Sequence, residues 1–446
     1  MINAHENVQD RIHTSRTIGF SFIITCYIFA LATDGFGDIR LGIIDENFST
    51  YFIFIAFLFQ LITGTLRFSK FLFGIYLYIF IQTYIFNLLS INILSSASHF
   101  LGFILFSLSV FSFVSIYRNR ILDMVRIYYK LVFALVCFVF LQTILFICFG
   151  LSFKPQQILS SSIIAGTNPF VAEILNFLPR AVGLSSEPAH YATTILPGVY
   201  LALLVITGKG TQLKLGNKKT GIIIIIGFIL SFSLVGYFGL FLCLISVFAG
   251  KIKGKLFVKV GLTGFFLVLI YFISSTNLIS KLNSVPAMIN GGTESYQFTS
   301  SDLSAFALAS NLYVTRENLK KSHYMGTGFN SHKDAYDREI YKVFSQSQVL
   351  MELNRDDAGS LFIRVLSEFG IPGIILFFYF LFHFWIRKAT PAYALKYINN
   401  MSLVMIISYS LRNGGYIDTY LIFFMALSYY TFKFEKQKAI NLLQTS

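Results

Sequence analysis

A succession of apolar runs of bilayer-crossing length, separated by short clusters of basic residues, restricts this chain more than any other feature. Runs such as 52–59 and 221–230 contain no charged side chain. A helix needs roughly 20 predominantly apolar residues to cross the hydrocarbon core. Backbone polar groups find no water there, so a spanning segment must satisfy them internally, as a helix. Runs of this kind fall near 17–33, 51–66, 71–91, 99–117, 131–152, 190–207, 256–273, 371–386, 398–411 and 416–432. The stretch 220–250 is too long for one upright span. Lys218 and Lys219 precede it; Lys251, Lys253 and Lys255 follow it. Cytoplasmic loops hold the excess of Lys and Arg, so this stretch enters and returns, turning near 231–237. The expected fold is all-α: a polytopic membrane helical bundle of about 12 spans. Both termini lie inside, and a large, partly helical periplasmic loop caps the outer face.

Composition agrees. The chain is 55% hydrophobic and 13% charged, with 51 Phe and 25 Tyr. Its net charge of +14 does not point to nucleic acid, because the positive residues sit in short clusters between apolar runs. The long polar segment 274–369 instead holds nine Lys/Arg against ten Asp/Glu. The whole excess of positive charge therefore lies elsewhere, as the positive-inside rule requires. The organisation that follows is 1–273, nine membrane helices with a periplasmic loop at 153–189; 274–369, the large periplasmic loop; and 370–446, three membrane helices and a cytoplasmic tail. Within the large loop, 301–320 and 334–353 carry partly amphipathic helical patterns, with the turn signal GTGFN at 326–330 between them. The four cysteines fall in apolar runs without paired or metal-ligand spacing and read as packing residues. The N-terminus lacks the order of a cleavable signal, so the first run reads as a retained span.

Ionisable groups beside a membrane segment are functional candidates by default. LPRAVGLSSEPAHY at 178–191 places Arg180, Glu187 and His190 just before the sixth span. Pro188 opens that helix, leaving Glu187 at its N-cap edge and His190 in its first turn. A helix N-terminus with a nearby arginine favours anions; the plainer reading is an interfacial anchor with a capping acid. The large loop supplies Arg316, His323, His332 and the run NRDD at 354–357. His323, beside two lysines, reads as surface, and His332 as either a solvated or a catalytic histidine. Arg364 and Glu368 share a helix face at i, i+4, either as a surface ion pair or with Arg364 turned inward. Arg412 stands in LRNGG at 411–415, at an expected outer mouth; snorkelling to the interface is its plainer reading. Asp34 and Asp38 read as solvated loop acids rather than metal ligands. No metalloprotease, P-loop, dinucleotide or nucleophile-elbow motif is present in the sequence.

Taken in order, R-x-x-G-x-x-x-E-P at 180–188, SFSLVGY at 231–237, GTGF at 326–329 and DAGSLFIRVLSEFGIPG at 357–373 resemble the Wzy-type O-antigen repeat-unit polymerases and, more distantly, the O-antigen ligases. The likeness extends to the architecture of most of the chain and to sequence between 180 and 373. Ligases share an H-N pair upstream of the Glu of their E-x-G-x-x-G ending. Here Gly359 and Ser360 stand in that place, which favours a polymerase.

The resemblance implies an inner-membrane glycosyltransferase with its active site facing the periplasm. It would join undecaprenyl-diphosphate-linked oligosaccharide units, with a chain-length regulator and a flippase as membrane partners, and without nucleic acid, metal or cofactor. Diphosphate is a good leaving group that needs charge stabilisation, which suits Arg180, Arg316, Arg364 and Arg412, with His190 nearby. The acceptor hydroxyl needs a base, with Glu187 first, Asp357 second and His332 as a further candidate. Two alternatives remain: an O-antigen ligase, or a non-enzymatic lipid-linked oligosaccharide flippase.

Overall fold

Apolar runs become helices wherever the chain is described. The structure is a computed structural model and describes residues 2–33, 38–41, 44–87, 92–150, 182–185, 187–248, 303–342, 353–387 and 393–444. Among these residues there are thirteen α-helices. The bundle consists of α1 (Ile2–Thr33), α2 (Phe48–Ile62), α3 (Lys70–Phe80, continued by a π turn over Ile81–Ile85), α4 (Ile93–Ile116), α5 (Ile121–Phe149), α6 (Pro188–Ile206), α7 (Lys218–Ile229), α8 (Leu234–Phe248), α11 (Leu361–His383), α12 (Tyr393–Arg412) and α13 (Thr419–Gln444). Between α8 and α11 stand α9 (Leu303–Lys321) and α10 (His332–Glu339). One feature departs from the all-α expectation. The segment between α1 and α2 forms an antiparallel hairpin, β1 (Asp38–Leu41) with β2 (Ile44–Asn47), pairing Asp38 with Asn47 and Leu41 with Ile44. The alternation D-I-R-L has the two-residue period of a strand. Asp38 is thus a strand residue; Asp34 lies outside the described residues.

Among the described residues, four helical stretches are long and apolar enough to cross a membrane: Ile93–Ile116, Arg118–Phe149, Pro188–Ile206 and Leu361–His383. Shorter apolar helices occupy Ile18–Thr33, Ser49–Ile62, Lys70–Ile85 and Leu234–Phe248. This is the pattern of a multi-pass membrane protein. It is coarser than twelve spans, and the run at 256–273 lies outside the described residues. Exposed apolar stripes match a lipid-facing surface, as at Phe73, Leu77 and Phe80, or Ile222, Ile226 and Ile229. At the centre stands α6, buried from Tyr191 to Val205 except at Thr194. It packs against α7, α8, α12 and α5. A Cβ at Gly198 would come within 2.4 Å of Val132, and one at Gly239 within 2.5 Å of Leu196. Small residues allow the close backbone approach on which helix association in lipid depends. Charge is unevenly placed. The start of α5 and the ends of α6 and α8 form one end, where Arg126 bonds Leu213 O and Lys209 bonds Val247 O. Arg120 lies over Phe20 there.

At the other end, α9 and α10 form a cap. The inner face of α9 buries Ala307, Ser310, Asn311, Val314 and Asn318 at helical spacing. α10 starts two residues ahead of the expected 334, and 343–352 lies outside the described residues. The loop between the two helices is pinned to the bundle. Phe329 sits among Phe100, Phe103, Phe369 and Tyr416. Its N–H donates to Thr83 Oγ1 at 2.9 Å, and its carbonyl accepts from Ser96 Oγ at 2.9 Å. α11 breaks at Gly370, where φ is 62°. There the cap loop crosses it: Ile371 N–H donates to Tyr324 O at 3.0 Å and Gly328 N–H to Glu368 O at 2.7 Å.

Candidate functional site

The charged end of α11 is buried under the cap. Arg364 is 7% exposed and Glu368 is fully enclosed. Arg364 Nε donates to Glu368 Oε1 at 3.0 Å, Nη1 to Gly414 O at 3.0 Å, and Nη2 to Asn330 Oδ1 at 2.9 Å. Its guanidinium carbon lies 4.4 Å from the Tyr416 ring centre. Glu368 also accepts from the N–H groups of Asn330 (2.8 Å) and His332 (3.3 Å). The pair is therefore no surface ion pair. It ties α11, the cap loop and the α12–α13 connection into one unit.

His332 is buried in the same network rather than solvated. Nε2 lies 2.9 Å from Asn311 Oδ1 and Nδ1 lies 3.0 Å from Ser367 Oγ. The Asn311 amide nitrogen donates to the carbonyls of Ala307 and Leu353. Its oxygen therefore faces the ring and accepts, so Nε2 carries the proton and Nδ1 accepts from Ser367. Burial, aided by the positive charge of Arg364, pushes the imidazole down to about 3. At neutral pH it is an uncharged spacer with both nitrogens engaged. Asn318 completes the network by donating to Thr327 and to Ser367. Beside it, Glu339 is buried under Lys321, Arg338 and Lys342. Burial alone would raise its carboxyl, but those three cations outweigh it and hold the group below its usual range.

The exposed chemistry gathers where α6 begins and α12 ends. Glu187 stands at the N-cap position of α6, before Pro188, and makes no capping bond with its side chain. Its carboxylate instead reaches Arg412, whose Nη2 lies 2.9 Å from Oε2, with both side chains partly open to solvent. His190 is within electrostatic reach of Glu187, Arg412, Asp418 and Asp357. With Ser185, Thr193, Tyr409, Asn413 and Asp418 it lines a small polar cleft. Asp357 Oδ1 accepts from Gly359 N–H at 2.9 Å. Asp418 Oδ1 accepts from the N–H groups of Tyr420 and Leu421 and so caps α13. The Asn413 side-chain oxygen is buried and unbonded.

Of the residues singled out from the sequence, the structure brings together Glu187, His190, Asp357 and Arg412, with Arg364 and His332 directly behind them. Arg316 is elsewhere, on the exposed face of α9 beside Glu317. His323 is exposed. Arg180 lies outside the described residues. Sequence reasoning missed Asn330, Tyr416, Asn413 and Asp418. Of these, Asn330 left a signal as the last residue of the GTGFN turn, and Asn413 as the neighbour of Arg412 in LRNGG. No group of three His, Cys, Asp or Glu side chains is close enough to hold a metal among the described residues. Comparison with known proteins yields no match: no family model, curated protein or solved structure is significantly similar to this chain.

Proposed function

We propose that this chain is a membrane glycosyltransferase that polymerises lipid-diphosphate-linked oligosaccharide units, as the O-antigen polymerases do. It would sit in the bacterial inner membrane with the cap and the Glu187–Arg412 cleft facing the periplasm. The observation that carries this reading is the Arg412–Glu187 pair: a cation and a carboxylate, open to solvent, at the bundle end opposite the Arg126 and Lys209 cluster. That opposition is what the positive-inside rule requires of an outward-facing site.

The pair supplies both functions the reaction needs. The donor diphosphate competes for the Arg412 fork, which binds phosphate oxygens and keeps its charge. Its arrival frees Glu187 from Arg412. The released carboxylate then takes the proton of the acceptor hydroxyl as that oxygen attacks the anomeric carbon. The carbon–oxygen bond to diphosphate breaks, and the leaving group departs with the bonding electrons against Arg412. His190 and Asp418 line the cleft for acceptor hydroxyls, with Asp357 close by. Arg364 and His332 hold positions rather than reacting atoms, because Arg364 is engaged by Glu368, Gly414 and Asn330, and both ring nitrogens of His332 by Asn311 and Ser367.

The test is the glycan of a deletion strain. Lipopolysaccharide core bearing a single repeat unit, restored to a ladder by the wild-type chain but not by Glu187→Gln, is the expected result. A ladder that survives deletion overturns the proposal. Bare core, with long polymer held on the carrier lipid, would identify a ligase instead.

A further inference from the structure

The same end of the bundle has a second concavity, a lateral groove between α2 and α4 with walls formed by Phe54, Phe57, Leu105 and Phe106. Its rim is polar: Thr50 stands in the first turn of α2, and Ser98 and His99 in the second turn of α4. From Ser98 to Phe106 the groove descends about 12 Å at 1.5 Å per residue. Gly102 lies in its floor, where a Cβ would come within 3.3 Å of Ile417 Cδ1. Both walls belong to apolar helices that present Phe54 and Leu101 to the lipid phase. A guest here has to be hydrocarbon, with its polar end at the rim.

The connection between α12 and α13 joins this groove to the polar cleft. Three consecutive residues serve three places. Tyr416 lies under Arg364, Ile417 lines the groove, and Asp418 lines the cleft beside His190. The groove and the cleft beside the Glu187–Arg412 pair thus share this connection as a common wall, with Ile417 on one side and Asp418 on the other. We infer that the groove between α2 and α4 seats the first isoprene units of the polyprenyl chain of the lipid-linked substrate. This rests on the glycosyltransferase reading for the identity of the head group. The groove sets where the reacting bond stands, because a seated tail fixes the height of the diphosphate relative to Arg412.

The experiment uses the full chain in nanodiscs and a polyprenyl diphosphate carrying a diazirine on its first isoprene units. After photolysis, adducts are expected in 50–57 and 98–106. Gly102→Trp and, independently, Leu105→Trp should each lower that labelling at least tenfold. Leu101→Trp, one position away and facing lipid, should leave it unchanged. Adducts spread evenly over lipid-facing helices would overturn the inference. So would equal groove labelling by a phosphatidylglycerol carrying the same diazirine, or crosslinking of the groove to a second copy of the chain. The two readings fail separately. Polymerisation that persists with adducts elsewhere sinks the groove alone, whereas groove labelling without polymerisation sinks the polymerase reading and leaves a prenyl-diphosphate site.

Discussion

Two arginines at the same end of the bundle have opposite energetics. Arg364 is buried and bonded to three partners; removing one member of such a pair leaves an unmatched buried charge and costs about 3–5 kcal/mol. Arg412 is paired in solvent, where a salt bridge contributes about 0–1 kcal/mol. Arg364→Met should therefore lower the amount of folded protein and its thermal midpoint, whereas Arg412→Lys and Glu187→Gln should leave both unchanged. The latter two should reduce chain extension at least 100-fold, as loss of an acid–base group or of bidentate phosphate binding does. Equal midpoints for Arg364→Met and wild type would contradict the structural role. His332 gives a second residue-level prediction. Its ordinary value is 6.5, and in the folded chain it is pushed down to about 3. Between these values the unfolded chain binds the extra proton, so stability is full above 6.5 and falls as pH drops toward 3. The slope approaches about 1.4 kcal/mol per pH unit. Glu339, held below its ordinary value, enters only in the lower part of that range. Unfolding midpoints measured between pH 7 and 5 should therefore decline for wild type and decline less steeply for His332→Asn, the difference between the two being the His332 contribution.

At the scale of elements, the join between α11 and the cap loop depends on two glycines. A Cβ at Gly370 would lie 2.1 Å from Tyr324 O, and one at Gly326 would lie 2.4 Å from Glu368 O. Both residues also hold positive φ, which an L side chain adopts only with strain. Gly370→Ala should cost about 2–4 kcal/mol and loosen the cap. Faster proteolytic cleavage within 303–342, with the membrane helices intact, is the expected measurement; an unchanged cleavage rate would remove the join from the account. Helices with strong apolar runs were legible in the sequence, as were the Pro188 start of α6, the return near Ser231 and the turn at 326–330. Less visible was the start of α12: the run was read from 398, whereas the helix begins at Tyr393, and Asn399 is buried and donates to Phe384 O and Ser428 O. A polar residue that finds its partners only after folding weakens the very hydropathy by which a span is recognised. The hairpin after α1 was missed because eight residues of alternating pattern are outweighed by the loop composition around them. Glu187 and Arg412 were legible as ionisable groups beside apolar runs, but their pairing across 225 positions was not. For Arg364 the sequence left a surface ion pair and an inward position both open, because the three acceptors that engage it come from the loops at 330 and 414 and from its own helix, which no local spacing could show.

For the molecule as a whole, the proposed orientation, and with it the compartment in which the cleft would act, rests on the distribution of charge. Lys214 lies between α6 and α7, and Lys218 and Lys219 in the first turn of α7, at the same end as Arg126. Such clusters stay on the cytoplasmic side because moving them across the bilayer during insertion is unfavourable. The cap is different. Its cations are matched locally, Lys333 by Asp356, Arg355 by Asp337, and Lys321, Arg338 and Lys342 by the single buried Glu339. With nine Lys/Arg against ten Asp/Glu over 274–369, such a segment crosses with little penalty from the charge bias. The two ends are thus distinguishable by labelling. In a chain whose four native cysteines are replaced by serine, Asp356→Cys should react with a membrane-impermeant maleimide applied to intact spheroplasts. Lys219→Cys should react only after the membrane is opened. The reverse pattern would place the Glu187–Arg412 cleft in the cytoplasm, where the lipid-linked units are built rather than joined, and the polymerase reading would not survive it.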